Sequence, residues 1–214
     1  MITIAIDGPA GAGKSTIARE VARALGARYL DTGALYRAVA LACLQREVPP
    51  TNERAVEEVA RSIDIDLTGE TVWLDGADVS ERIRARDVTE IVSIVSQHAG
   101  VRAVLLARQR AMADETDLVA EGRDMATVVF PDAPVKVYVT ASLEERARRR
   151  GLQLGLDGGE VDALKEEIAE RDKADSTRSE SPLTRAPDAN VIDTTDMTLD
   201  EVVRRVVELV EARR

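Results

Sequence analysis

The first 26 residues change from a short apolar run to a helical pattern of apolar positions. Residues 2–6 are mostly β-branched and end at the breaker cluster Asp7-Gly8-Pro9, which predicts a buried strand that runs into a loop. Apolar residues then recur at four-residue spacing, at Ile17, Val21 and Leu25. Gly26 follows in the position of a helix C-cap. The pattern therefore predicts a strand, a glycine-containing loop and a helix, in that order.

Short apolar runs elsewhere predict three more buried strands, at 118–120, 135–140 and 190–193. Helical patterns lie between them, and Ser142 and Thr198 each precede a glutamate by three residues, as in a capping box. An apolar stripe after Thr198 predicts a C-terminal helix that packs on the sheet. Buried strands that alternate with helices predict an α/β fold of three layers, with helices on both faces of a parallel sheet.

Two segments interrupt this alternation. Residues 62–82 have alternating apolar positions around two glycine turns, which predicts a small antiparallel insert, and residues 146–160 are arginine-rich and then glycine-rich, which suits a mobile flap or lid. The expected organisation is a core with the loop (1–60), a substrate-binding insert (61–95), core (96–145), a lid (146–160) and core (161–214). Trp73 in the insert is expected to be local core.

Composition and charge narrow the class of protein. The formal net charge of −10 opposes nucleic acid as the main partner. Cys43 is the only cysteine and His98 the only histidine, so we expect no disulfide framework and no multi-histidine metal site, with Cys43 in the core. No apolar run approaches 18 residues and the N-terminus lacks a signal-like pattern, so we expect a cytoplasmic chain without a membrane partner. No exposed apolar stripe demands a partner, so we expect a monomer.

The loop after the first strand matches G-x-x-x-x-G-K-[ST], from Gly8 to Ser15. Glycines allow the backbone to curl around phosphate oxygens, and the helix that follows adds the positive end of its dipole. Lys14 is expected to contact the β- and γ-phosphates of ATP, and the Ser15 hydroxyl to bind Mg²⁺. The expected ATP contacts are Gly8, Pro9, Ala10, Gly11, Ala12, Gly13, Lys14, Ser15 and Thr16.

Further motifs decide how the loop is used. No N/T-K-x-D guanine motif is present, and the D-x-x-G match at Asp66 lies in the predicted insert. The strand that ends at Glu121 is a weak candidate for a motor-type ATPase acid, but Gly122-Arg123-Asp124 follows it. A phosphate loop together with many arginines favours a phosphotransfer kinase, because arginines neutralise the phosphates of two substrates.

Five segments, 4–16, 29–40, 92–102, 121–133 and 171–183, resemble the bacterial cytidylate kinases over nearly the whole chain. The resemblance implies transfer of the γ-phosphoryl group of ATP to CMP or dCMP with Mg²⁺, a core sheet, a CMP-binding insert and a closing lid. It implies CMP-phosphate contacts at Thr32 and Arg37 and cytosine readers at Ser93, Arg102 and Asp124. It also implies phosphate and transfer contacts at Arg123, Arg171 and Arg178, and a ribose contact at Asp175.

The chemistry of cytosine is consistent with these implied readers. A carboxylate and a hydroxyl, as on Asp124 and Ser93, accept hydrogen bonds from the exocyclic amino group, and the Arg102 guanidinium donates to the ring acceptors. Uracil places an acceptor opposite the carboxylate and would leave it unpaired. We therefore expect CMP to be preferred to UMP.

Several alternatives stay open at this point. Arg123 and Asp124 could pair only with each other, and Arg148, Arg149 and Arg150 could be the wet face of a helix, although Arg150 is taken as the transfer arginine of the lid. Asp31 is expected to cap a helix and Tyr36 to pack. The chain could also be a kinase for UMP, AMP or dTMP, or a P-loop protein that binds nucleotide without catalysis.

Overall fold

The computed structural model describes residues 1–113 and 116–213. The strands are β1 (Thr3–Asp7), β2 (Arg28–Asp31), β3 (Ile65–Thr68), β4 (Thr71–Leu74), β5 (Ala77–Asp78), β6 (Leu118–Gly122), β7 (Val135–Thr140) and β8 (Asn190–Asp193). The helices are α1 (Lys14–Leu25), α2 (Thr32–Gln45), α3 (Glu53–Ser62), α4 (Arg86–Val95), α5 (Ala99–Ala111), α6 (Leu143–Leu154), α7 (Gly158–Thr177) and α8 (Leu199–Glu211). Shorter elements are a 3₁₀ turn at Arg82–Arg84 and a π-helical turn at Met125–Val129.

Five strands form one sheet in the order β2-β6-β1-β7-β8, and every neighbouring pair is parallel. All three predicted later strands are present in it, whereas β2 was not predicted. Because the strands are parallel, their carboxyl ends lie at one edge, and the loop after β1 lies at the centre of that edge.

Helices cover both faces of the sheet, which confirms the predicted three layers. On one face Ile4 and Ile6 of β1 pack with α1 and α8, through apolar residues such as Val21 and Val206. On the other face Ala5 and Leu30 pack with α2, α3 and α5 in the larger core cluster. Cys43 is buried in that cluster, as expected. Burial on both faces explains why these strands are continuous apolar runs.

The predicted antiparallel insert is present as the three-stranded sheet β3-β4-β5. Ile65, Leu67, Val72 and Leu74 face inward and join the larger core cluster. The expectation for Trp73 was wrong: it lies on the other face of β4 and is 37% exposed. Alternation along a strand decides this, because Val72 and Leu74 already point to the core and their neighbour must point away.

The glycine-rich part of segment 146–160 is organised by the ends of two helices. Arg146 and the residues up to Leu154 belong to α6, and Gly155 caps that helix in the left-handed conformation at φ 69°. Asp157 and Glu160 then form a reciprocal capping box that begins α7. The glycines therefore end one helix and begin the next, and the expected boundary at residue 161 falls inside α7.

No single helix of the described residues is long and apolar enough to cross a membrane. Only α4 and α5 taken together have the necessary length and composition, and they meet at a bend of 100°.

Gly8 should be the least replaceable glycine for stability. A Cβ at this position would lie 2.0 Å from the Val139 carbonyl oxygen, on a residue with φ +151°. We expect Gly8→Ala to lower the free energy of unfolding by about 3 kcal/mol, because backbone must move. Gly26→Ala is the control: its φ is +64° and no described heavy atom lies within 4 Å, so about 1 kcal/mol is expected. Urea unfolding measures both, and equal losses would contradict the close approach.

Candidate active site

The glycine loop after β1 curls as the sequence motif predicts. Gly8, Gly11 and Gly13 all have positive φ, and Gly13 is the N-cap of α1. Lys14, the first residue of α1, is buried and donates from Nζ to the Pro9 carbonyl at 2.8 Å. Burial, together with the charge of Arg123, lowers the pKa of Lys14. The cation is thus held inside the loop, where a phosphate would relieve its desolvation.

One peptide of the loop is fixed from outside by α6 and α7. The Ala10 N–H donates to Asp172 Oδ1 at 2.9 Å, and Arg146 donates to the Ala10 carbonyl at 2.9 Å and to Asp172. The Ala10 N–H is therefore already satisfied by a carboxylate. Of the nine residues expected to contact ATP, Ala10 thus has a backbone donor engaged elsewhere.

Oxygen ligands meet where Ser15 faces the end of β6. Ser15 Oγ donates to Glu121 Oε1 at 2.7 Å, and burial, with the charge of Asp31, raises the pKa of Glu121. Hydroxyl and carboxylate oxygens suit Mg²⁺. In the described residues no group of three or more acidic, histidine or cysteine side chains could hold a metal by itself. The site fits a Mg²⁺ ion that takes its remaining ligands from phosphate and water.

The start of α2 brings two of the expected phosphate contacts to the same edge. Asp31 caps the helix by accepting from the Ala34 N–H at 3.0 Å, as expected. Thr32 is buried and donates from Oγ1 to the Glu121 carbonyl at 2.7 Å. One turn later Arg37 donates to the Ile83 carbonyl at 3.2 Å and to Thr89 Oγ1 at 2.8 Å.

The two charged residues after Gly122 pair with different partners. Arg123 donates from Nε to Asp175 Oδ2 at 2.8 Å, so the alternative in which Arg123 pairs only with Asp124 was wrong. Asp175 also lies 3.7 Å from Arg178 Nη1, and Arg178 Nε donates to the Ser181 carbonyl at 2.6 Å. The end of β6 and the end of α7 are thereby joined through buried charges.

Asp124 accepts instead from Arg102 of α5, and both side chains are buried. The Arg102 guanidinium also donates to the Ser96 carbonyl at 3.1 Å and lies 5.4 Å from the centre of the Tyr36 ring. Two of the three expected base readers are therefore in direct contact. Ser93, the third expected reader, lies in the last turn of α4, and Ser96 is the C-cap of that helix. The Ser93 carbonyl accepts a hydrogen bond from Ser96 Oγ at 3.1 Å.

The arginines of this edge carry unused donors. Among the described residues, Arg102 Nε, Arg171 Nε and Arg178 Nη2 are buried without a hydrogen-bond partner. Burial, together with the charge of Arg123, lowers the pKa of Arg171 to about 10. Buried donors without partners cost free energy, and a bound anion would satisfy them.

Of the other arginines in segment 146–160, Arg150 donates from Nη1 to Gln153 Oε1 at 3.2 Å. Its charge contributes to the lowered pKa values of Arg37 and Arg171, for which burial is the main cause. Arg148 and Arg149 pair with Glu145, and Arg149 also donates to Thr194. Arg149 also borders the phosphate loop, because its Nη1 lies 3.8 Å from the position that a Cβ on Gly13 would occupy.

Sequence reasoning missed three acidic residues that organise the edge: Asp7, Glu121 and Asp172. Asp7 is buried and accepts from the backbone N–H groups of Met125 at 2.8 Å and Ala126 at 2.7 Å. Burial raises the pKa of Asp7 to about 6. Glu121 was visible only as an acid that ends an apolar strand, and Asp7 only as the residue before the first loop glycine.

The parallel sheet with helices on both faces and the phosphate loop after its central strand define a P-loop kinase fold. The sequence profile described as cytidylate kinase matches residues 4–212. The chain therefore belongs to the cytidylate kinase family.

Curated relatives agree with this assignment over nearly their full length. The cytidylate kinase of Caldanaerobacter subterraneus subsp. tengcongensis is 52% identical over 98% of this chain and 94% of its own. That of Desulforamulus reducens is 50% identical over 97% and 96%. A cytidylate kinase of Bacillus cereus is 48% identical over 98% and 96%.

Solved structures show the same fold at low sequence identity. An uncharacterized protein from Eubacterium ventriosum aligns with a TM-score of 0.58 and 13% identity over 100% of both chains. A gluconokinase from Sinorhizobium meliloti aligns with a TM-score of 0.50 and 18% identity over 99% of this chain and 93% of its own.

Two arginines of the site should have opposite effects on stability. Arg171 carries a lowered pKa from burial and from Arg123, so at pH 7 its charge opposes folding, and Arg171→Met should leave the unliganded protein as stable or raise its free energy of unfolding by about 1 kcal/mol. Arg123→Met breaks a buried ion pair with Asp175 and should cost about 3 kcal/mol. Denaturant unfolding in phosphate-free buffer tests both. A larger loss in Arg171→Met than in Arg123→Met would contradict this view of the charges.

Proposed function

We propose that the chain transfers the γ-phosphoryl group of ATP directly to CMP or dCMP. The observation that carries the proposal is the buried Arg102–Asp124 pair, which lies on the same edge as the phosphate loop and the arginines with unused donors. The family assignment supports the reaction class, and the pair supports the choice of base.

The pair offers cytosine a donor and an acceptor side by side. The guanidinium can donate to the ring nitrogen and carbonyl, while the carboxylate accepts from the amino group. Arg102 Nε is a further buried donor without a partner. Ser93, near the point where Arg102 contacts α4, is proposed as the additional acceptor.

Phosphate recognition is proposed for the arginines that surround this pair. Arg37, Arg123, Arg171 and Arg178, with Thr32, would hold the CMP phosphate, and Asp175 would contact the ribose. Lys14 and the loop N–H groups would hold the β- and γ-phosphates of ATP. These cations would align the two substrates and neutralise the charge that develops during transfer.

No general base is needed in this reaction, because the CMP phosphate is already ionised near neutral pH. Ser15, with Glu121 beside it, would hold Mg²⁺, which neutralises phosphate charge when it is bound. Arg150 on α6 is proposed to approach the transferred group when segment 146–160 closes. Closure would exclude water, which competes with CMP for the phosphoryl group.

The insert at 61–95 is proposed to contribute to the CMP site. The protein is also proposed to be cytoplasmic and monomeric.

Two other functions make different demands on the site. A kinase for UMP or dTMP would use the same phosphate arginines but would not need a carboxylate opposite a base amino group, which uracil and thymine lack. Adenine has an amino group, so AMP is distinguished by the substrate panel below. A protein that only binds nucleotide would not need a second set of phosphate contacts. The three unused arginine donors beyond the loop favour an enzyme with a second anionic substrate.

ADP release with ATP, Mg²⁺ and a panel of CMP, dCMP, UMP, AMP and dTMP tests the proposed function. We expect turnover with CMP and dCMP well above the others. Lys14→Ala should lower turnover by at least about a hundredfold, because it removes the phosphate-facing cation, while circular dichroism shows an intact fold. Turnover that does not depend on CMP would refute the proposed function, and near-normal turnover in Lys14→Ala would refute the role of Lys14.

Asp124→Ala should lose the preference for CMP over UMP. Without the carboxylate, the cytosine amino group loses its acceptor and uracil meets no unpaired acceptor, so the ratio of kcat/KM values should fall about tenfold to a hundredfold. Asp132→Ala, which removes an exposed carboxylate from the same segment, should leave the ratio unchanged. An unchanged ratio in Asp124→Ala would reject it as a base reader.

A further inference from the structure

The π-helical turn Met125–Val129 has an unusual source for its cap. Asp124 occupies the N-cap position with φ −144° and ψ 23°. An aspartate in that position ordinarily accepts hydrogen bonds from the first N–H groups of the turn with its own side chain. In the described segment 116–213 the Asp124 side chain makes no such bond.

The acceptor comes from Asp7, 118 residues earlier in the chain. Its two carboxylate oxygens accept from Met125 N at 2.8 Å and from Ala126 N at 2.7 Å. Asp7 is 1% exposed and lies at the end of β1, where it is in register with Gly122 of β6. Hydrogen bonds that a carboxylate accepts are stronger than hydrogen bonds between neutral groups. The two bonds to Asp7 therefore fix the start of the turn.

The two carboxylates are neighbours with separate partners. Asp7 accepts from Met125 N and Ala126 N, the two backbone N–H groups that directly follow Asp124 in the chain. Asp7 takes the backbone N–H groups, and Asp124 takes the Arg102 guanidinium. Because the N–H groups are already satisfied, the Asp124 carboxylate does not have to cap the turn.

We propose that Asp7 is a positioning residue for pyrimidine selection, because its carboxylate occupies the N–H groups of Met125 and Ala126 and thereby keeps Asp124 directed to Arg102. The inference rests on the proposed function, in which Asp124 and Arg102 read the base. Without Asp7, two buried N–H groups would lack an acceptor, and Asp124 would be the nearest carboxylate able to satisfy them. Asp124 would then leave the base-reading pair.

Asp7→Asn tests the proposal with little change of shape. The amide keeps one acceptor oxygen and presents a donor to the second N–H group, so one of the two bonds is lost. We expect the ratio of kcat/KM for CMP to that for UMP to fall about tenfold, with KM for ATP changed less than threefold. An unchanged ratio, or an equal loss for ATP and for both pyrimidines, would overturn the proposal.

Asp117→Asn is the matched control at the opposite end of the same pair of strands. Asp117 Oδ1 accepts from the Ile2 N–H at 2.8 Å, so this variant also removes a carboxylate that holds backbone next to β1. It should leave the CMP to UMP ratio unchanged. A comparable fall in the control would show that any loss at the strand ends alters selectivity, which would overturn the specific role of Asp7.

A double variant separates positioning from general damage. If Asp7 acts through Asp124, then Asp7→Asn should cause no further loss of selectivity in an Asp124→Ala background. Independent, additive losses would contradict the proposal.

If Asp7→Asn does not fold, Asp7→Ser, which leaves a small hydroxyl acceptor, is measured in its place with the same expected fall in the CMP to UMP ratio. A wild-type protein without CMP-dependent turnover would refute the proposed function, whereas a selective wild type with an equally selective Asp7→Asn would refute this inference alone.

Discussion

The parallel pairing of β1 with β6 determines where the charged groups of this site lie. In this register Ile6 is opposite Glu121 and Asp7 is opposite Gly122. The phosphate loop therefore begins beside the segment that carries Arg123 and Asp124. A shift of one residue would turn each side chain of β6 to the other face of the sheet and would separate Ser15 from Glu121. Sheet packing and site geometry are thus fixed by the same set of backbone hydrogen bonds.

The second constraint is the burial of several cationic side chains near the phosphate loop, which lowers the stability of the unliganded protein. Lys14 and Arg171 both have pKa values lowered by burial and by Arg123, which means that their charged forms are disfavoured in the unliganded protein. Carboxylates offset only part of this cost, through pairs such as Arg123–Asp175. A polyphosphate that enters the site supplies the missing negative charge. Binding energy is therefore available from relief of repulsion that was already present in the folded chain.

The local signals in the sequence predicted the parts of the structure that depend on near neighbours. The glycine loop, the apolar strands and the Thr198 capping box each depend on residues within one short segment, and all are present. The expectation for Trp73 was wrong because the alternation of β4 places it on the face opposite to Val72 and Leu74. The glycines near residue 155 predicted a mobile flap. Glycine also caps helices, and Gly155 is the C-cap of α6.

Contacts between distant segments could not be found in this way. The Asp172 carboxylate that holds Ala10 and the Asp7 carboxylate that holds Met125 join positions more than 100 residues apart. Neither pairing has a local pattern, since an aspartate beside a glycine or an arginine is common on any surface. Resemblance to a family named residues that are expected to contact substrate, and the structure adds acids that hold neighbouring backbone and side chains in place.

In the proposed function, the pair of Arg102 and Asp124 has to satisfy two opposite requirements. Without substrate, Arg102 and Asp124 are buried and neutralise each other, which avoids the cost of an isolated charge. With cytosine, each group must also serve the base, and it can do so because a guanidinium has five donors and a carboxylate can accept several bonds. Uracil would place a carbonyl acceptor against the carboxylate and a ring N–H donor against the guanidinium. In the proposed function, selectivity arises from these mismatched contacts in a buried site, which requires that Asp124 stay directed to Arg102 and not to the backbone that follows it.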